Sequence, residues 1–228
     1  MRREEDFIPS PVATDVVIFT VIGNELNVLL VKRGKFAPLG WSLPGGFVGQ
    51  REDLDESAVK TLREKTGVRN VYLEQLYTFG EPKRDPRGRV ISIAYMALVD
   101  AQMVKLEKGK DTEGIKWLPV KKLPQLTFDH RQIIDYAKKR LIWKMEYTNV
   151  VFSLLPTYFS LTELQKVYEA ILERDLDKRN FRRKFLSTGL IKETKKKSQG
   201  AHRPATLYNF AEKRLEYITN PFGQFLKK

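Results

Sequence analysis

The chain has 228 residues, 42% hydrophobic and 30% charged, which suits one or two folded domains and excludes wholesale disorder. With 41 Lys and Arg against 28 Asp and Glu the net charge is +13, favouring an anionic partner: nucleic acid, a membrane surface or phosphorylated metabolites. No cysteine is present, which excludes disulfide scaffolds, thiol catalysis and Cys-ligated zinc, and two histidines are too few for a histidine-rich metal site.

In chain order, the opening MRREEDFIPSP is charged and broken by Pro9 and Pro11, so no signal-peptide core is expected there. Apolar stretches such as 16–22 are strand-sized, too short to span a membrane. The expectation is a cytoplasmic protein that does not engage membranes. VATDVVIFTVI and NELNVLLVKR read as two strands of a hairpin turning at Gly23-Asn24. A Gly/Pro-rich connection leads to a helix over about 53–66, closed by Gly67. Leu54, Ala58 and Leu62 recur every four residues and predict its core face, with Val59 widening the stripe. Further strands are predicted over 71–79, 89–99 and 115–118. A helix over 131–146 carries Ile133, Ile134, Ala137, Leu141 and Ile142 on one face. Strands mixed with two helices predict an α+β fold with helices on the sheet faces.

Beyond residue 146 the character changes. Residues 1–146 carry a net charge of +5, whereas the much shorter 147–228 carries +8. Two domains are expected, 1–146 and 147–228. Ser160 and Glu163 form a capping-box pattern that opens a helix with Leu161, Leu164, Val167, Tyr168, Ile171 and Leu172 on its apolar stripe. A second helix is predicted over 177–187, ending at Gly189, with Phe181, Phe185 and Leu186 on its buried side. LIKETKK and ATLYNF follow as strands around a basic tip. Helix, turn, helix and basic hairpin is the layout of a winged helix-turn-helix, which favours double-stranded DNA. Arg179 and Asn180 are candidates for base contacts, as bidentate and amide donors suit base edges in the major groove. Arg182, Arg183, Lys184, Lys195, Lys196, Lys197, His202 and Arg203 complete the candidate DNA-binding set, the hairpin cations as phosphate contacts.

The segment LPGGFVGQREDLDESAVKTLREKTGV resembles the signature loop–helix–loop of the Nudix hydrolases. Gly46, Glu52, Leu62, Glu64, Gly67 and Val68 fall on its spacing. The resemblance implies an α/β/α sandwich with a mixed sheet, and a diphosphate pocket whose helix carboxylates hold divalent cations. Where that family has Arg-Glu, this chain has Lys60-Thr61; where it has Glu-Glu, this chain has Glu64-Lys65. Two principal ligand positions are thus a hydroxyl and an ammonium, while Mg²⁺ needs several converging oxygens. The expectation is no catalysis, with Glu52 and Glu64 vestigial, no metal site, and weak or absent Mg²⁺ binding. Lys65 can partly supply the charge a metal would bring. Arg33, Lys35, Trp41, Phe47, Glu64, Arg84, Arg87 and Arg89 are candidates for holding an effector, because arginine forks suit pyrophosphate and aromatic rings suit a base or sugar.

A degenerate Nudix-like domain followed by a winged helix is similar to the Nudix-related bacterial transcriptional regulators of the NrtR family. That resemblance implies a homodimeric repressor of NAD-biosynthesis genes on a pseudo-palindromic operator, released by ADP-ribose, with no cofactor required. The alternatives are an ADP-ribose pyrophosphatase of residual activity and a sugar-responsive regulator of the same architecture.

Overall fold

A computed structural model describes residues 9–34, 38–198, 204–212, 214, 215 and 217. Strands β1 (Val12–Ile22) and β2 (Glu25–Arg33) form the predicted hairpin. Gly23 at φ 58° and Asn24 at φ 64° turn it, both in the left-handed region that a two-residue hairpin loop requires. Two short strands follow, β3 (Gly40–Ser42) and β4 (Gly45–Phe47), where the sequence predicts only a connection. Gly/Pro composition hides them, since neither is long enough to show alternation. Helix α1 (Leu54–Thr66), β5 (Tyr72–Phe79), β6 (Ile91–Leu98), β7 (Thr112–Pro119) and α2 (His130–Tyr147) complete this part.

Among the described residues the sheet has seven strands, with path β3-β2-β1-β6-β5; β4 pairs with β1 and β7 with β2. As the central strand of that path, β1 is buried without a break from Thr14 to Thr20. This is why Val16–Phe19 at its middle are apolar without alternation, although the strand as a whole alternates in part. Asp53 caps α1 in a complete capping box with Glu56, and Gly67 at φ 76° closes it, its N–H bonded to the Arg63 carbonyl. Ala58 and Leu62 are buried as predicted, but Val59 is 53% exposed and Ser57 and Thr61 take the buried side instead. The face next to Ala58 meets Thr14 of β1, whose hydroxyl lies 3.4 Å from those of both Ser57 and Thr61, so small polar side chains suit it better than Val59.

Helix α3 (Leu161–Leu172) starts at Ser160 with the capping box to Glu163, and α4 (Lys178–Ser187) is capped by the Asp177 carboxylate. Phe181 and Phe185 pack edge-on against the buried Tyr168, with centroids 5.4 and 5.2 Å away. Leu186, expected beside them, is 49% exposed. It lies one residue, about 100°, past Phe185 on the helix. Strands β8 (Ile191–Lys197) and β9 (Thr206–Phe210) form the antiparallel hairpin of the wing, and Phe210 rests on Phe159 at 5.0 Å.

By contacts the chain divides into two compact units. The first holds the residues up to Ile18, Val28–Ala97 and Lys105–Asp135; the second holds Phe19–Asn27, Leu98–Val104 and the residues from Tyr136 on. Among the described residues no helix is long and apolar enough to cross a membrane.

Candidate effector pocket and nucleic-acid interface

The first unit contains a cavity of about 650 Å³. It is reached by β1, β2, β3, β4, the end of α1, the loop between β5 and β6, and the turn before α2. One of its buried charges is Asp15, on β1, which accepts from Ser92 Oγ at 2.5 Å and lies 3.4 Å from Arg84 and 3.5 Å from His130 Nε2. Burial alone would raise the Asp15 carboxyl, but His130, Ser92 and Arg84 outweigh it and lower its pKa to about 2. Glycine is required at 45: a Cβ there would lie 2.1 Å from Asp15 Oδ1.

The effector candidates among the described residues each have a definite place. Arg33 lines the cavity, donates from Nε to the Pro38 carbonyl at 3.1 Å, and sits 5.2 Å over the Phe128 ring. Arg87 also lines it, forked onto Asp85 at 2.9 and 2.7 Å and stacked 5.2 Å from Phe128 and 5.7 Å from Phe47. Phe47, Arg87, Phe128 and Arg33 thus alternate ring and guanidinium along one wall. Desolvation and the neighbouring Arg87 lower the pKa of Arg33.

Arg84 is buried. It forks onto Asp129 at 2.9 and 2.6 Å, so it neutralises internal carboxylates rather than presenting an open fork. Arg89 is exposed, donates to the Gly80 carbonyl and is not a lining residue. Trp41 is half-buried on β3, its carbonyl accepting the Thr127 N–H, and its ring lies outside the lining. Lys35 lies outside the described residues.

The helix carboxylates need a separate account. Glu52 accepts from the Gly49 N–H at 3.1 Å and pairs with Lys60, tying the loop to α1. Glu64 is exposed and does not line the cavity, whereas Lys65 does. Thr61 is buried, its hydroxyl 3.4 Å from Thr14 Oγ1, which is in turn 3.4 Å from Ser57 Oγ. A Cβ at Gly46 would touch Thr61 Oγ1 at 3.3 Å, so this side of α1 is closed by backbone. Among the described residues no group of three or more His, Asp or Glu side chains is arranged to hold a metal. Hydroxyls, an ammonium and one exposed carboxylate do not fit a polynuclear divalent-metal site.

Sequence reading did not single out Asp15, Ser42, Asp85, Asp111, Phe128 or His130 as lining residues. Asp15 was detectable, as the lone carboxylate in the run VATDVVIFTV. Phe128 stands at φ 57°, a conformation costly for a bulky residue and without a sequence signal.

In the second unit the basic residues gather on α4 and the hairpin. Arg179, Asn180 and Arg183 are exposed, and Arg183 donates to Asn180 Oδ1 at 2.9 Å, orienting the amide. Arg182 is half-buried, reaching Thr162 Oγ1 on α3 at 3.3 Å; Lys184 is also half-buried. Lys195, Lys196 and Lys197 are all exposed on β8, with Lys196 Nζ 3.6 Å over the Tyr158 ring. His202 and Arg203 lie outside the described residues.

Two family models match the chain: a NUDIX domain over residues 11–137 and an NrtR DNA-binding winged helix domain over 151–210. The ADPR responsive transcriptional repressor NtrR of Acinetobacter baylyi is 40% identical over 209 residues, 89% of this chain and 83% of that protein. The crystal structure of Shewanella oneidensis NrtR complexed with a 27mer DNA matches with a TM-score of 0.75 at 36% identity, covering 87% of this chain and 93% of that one. The NUDIX domain of Shewanella oneidensis NrtR, cocrystallised with ADP ribose, matches with a TM-score of 0.54 at 36% identity, over 61% of this chain and 94% of that one.

Proposed function

The chain belongs to the Nudix-related regulators of the NrtR family, and on that premise we propose that it is a DNA-binding transcriptional repressor that releases its operator on binding ADP-ribose. The observation that carries this reading is the distribution of cations. Arg33, Lys65 and Arg87 line a pocket in one unit, while Arg179, Arg183 and Lys195–Lys197 stand exposed on a helix and hairpin in the other. The first set suits a diphosphate. The second suits a groove and its phosphates. We infer that the domains divide functionally at 146/147, that the protein acts in the cytoplasm as a homodimer on a pseudo-palindromic site, and that its targets include NAD-biosynthesis genes. Hydrolysis is not part of the role, because Thr61 and Lys65 supply no carboxylate.

A ligand shifts only states that it binds unequally. Helix α2 is the natural carrier, since its first residue, His130, lines the pocket and its residues from Tyr136 on belong to the second unit. Duplexes selected from a random library by the full-length protein supply the operator. Affinity for that operator should fall at saturating ADP-ribose; unchanged affinity would refute the effector, and failure to select any sequence would refute the repressor.

A further inference from the structure

Helix α1 ends in Glu64-Lys65, and its geometry gives these neighbours opposite surroundings: Glu64 is exposed, and Lys65 is half-buried in the cavity lining. Three features hold Lys65 there. Gly67 closes the helix onto the Arg63 carbonyl, and the Glu107 N–H bonds the Thr66 carbonyl at 2.9 Å. Gly109 then passes so close that a Cβ would lie 2.7 Å from the Glu64 carbonyl oxygen and 3.3 Å from Lys65 Cα. The loop over 107–112 is thereby seated on the end of the helix and delivers Asp111 to the same cavity. Asp111 Oδ2 lies 3.9 Å from Lys65 Nζ, beyond hydrogen-bond reach, so the contact is a long ion pair that an anion can displace.

A second feature of the cavity points to a polar ligand. Ser42, on β3, is 1% exposed and lines the same space, and its Oγ has no hydrogen-bond partner among the described residues. A buried hydroxyl without a partner is costly unless something supplies one.

We propose that Lys65 is a phosphate-binding residue of this pocket, a built-in cation standing where a Nudix enzyme would place a divalent metal, so that a diphosphate ligand is held without metal. This rests on the ADP-ribose reading above. An ammonium is a compact charge with three donors, suited to phosphate oxygens, and it adds to the guanidinium groups of Arg33 and Arg87 in the same lining. The low dielectric of a half-buried site strengthens it relative to a surface lysine.

The test is calorimetric titration of the full-length protein with ADP-ribose and with inorganic pyrophosphate, each in EDTA and in Mg²⁺. The wild-type protein should bind ADP-ribose equally within about twofold in both buffers. Lys65→Ala should weaken it about tenfold or more, the loss of one charge-assisted hydrogen bond. Lys65→Arg should retain most of the affinity, and Glu64→Gln should match wild type. Binding that requires Mg²⁺ and is lost in Glu64→Gln would overturn the proposal, as would Lys65→Ala binding like wild type. If ADP-ribose fails while pyrophosphate binds and is lost in Lys65→Ala, the effector is wrong and the role of Lys65 stands. If neither ligand binds, both readings fall.

Discussion

His130, the first residue of α2, faces the buried Asp15 with Nε2 3.5 Å from Oδ1, while its Nδ1 accepts the Leu43 N–H at 2.9 Å. The second contact makes Nδ1 the acceptor and leaves the proton on Nε2, directed at the carboxylate. One imidazole therefore joins β1, the β3–β4 connection and the start of α2. His130→Ala should cost about 1–3 kcal/mol in urea unfolding, the penalty for leaving the buried Leu43 N–H unpaired. His130→Gln, which can accept and donate in the same directions, should recover most of that loss.

Asp15 should make stability depend on acid in a defined window. Its folded pKa of about 2 lies below the ordinary value of 3.8, so its contribution is fully present above pH 4 and is lost as pH falls through 2. Unfolding free energies measured from pH 5 to 2 should flatten in Asp15→Asn, which should also cost about 2 kcal/mol at neutral pH.

Two arginines five residues apart in the loop between β5 and β6 should behave oppositely. Arg84→Ala leaves Asp15 and Asp129 without their shared cation and should destabilise by about 3–5 kcal/mol in thermal or urea melts. Arg89→Ala should change stability by less than about 0.5 kcal/mol and leave ADP-ribose affinity unaltered.

Restoring carboxylates should not create an enzyme. In Thr61→Glu the new side chain must enter the hydroxyl cluster of Thr14 and Ser57 behind Gly46. The expected outcome for Thr61→Glu with Lys65→Glu is a stability loss of about 2 kcal/mol or more and no ADP-ribose turnover with Mg²⁺. A lowered melting temperature and the absence of AMP in a product assay check it.

On the DNA side, Arg183 and Asn180 act as a pair. Replacing either by Ala should cost about 1–3 kcal/mol on the selected operator and relax sequence preference. Lys196→Ala and Lys197→Ala should instead weaken all duplexes alike and reduce the salt slope by about one each, read from binding at graded salt.

Much of this molecule was legible locally. The Gly23-Asn24 turn, the Asp53 and Ser160 caps, Gly67, and the four-residue spacing of Phe181 and Phe185 each act within a turn or two of chain. Their elements appeared within a few residues of the expected limits. The strands β3 and β4 did not, being too short to carry a period, and Val59 and Leu186 were assigned to buried faces by hydrophobicity alone.

The sequence by itself determined the order of the elements, the Nudix-like spacing from Gly46 to Val68, and the concentration of cations after residue 178. These are properties of neighbours along the chain. Tertiary structure alone decided which charges serve a ligand. Arg84 became an internal counter-ion while Arg87 faces the cavity, and Lys65 rather than Glu64 lines it. The physical reason is that a pocket gathers side chains from distant strands, loops and helix ends. A step of one residue on a helix turns a side chain by about 100°, and burial beside a carboxylate changes what a cation can bind.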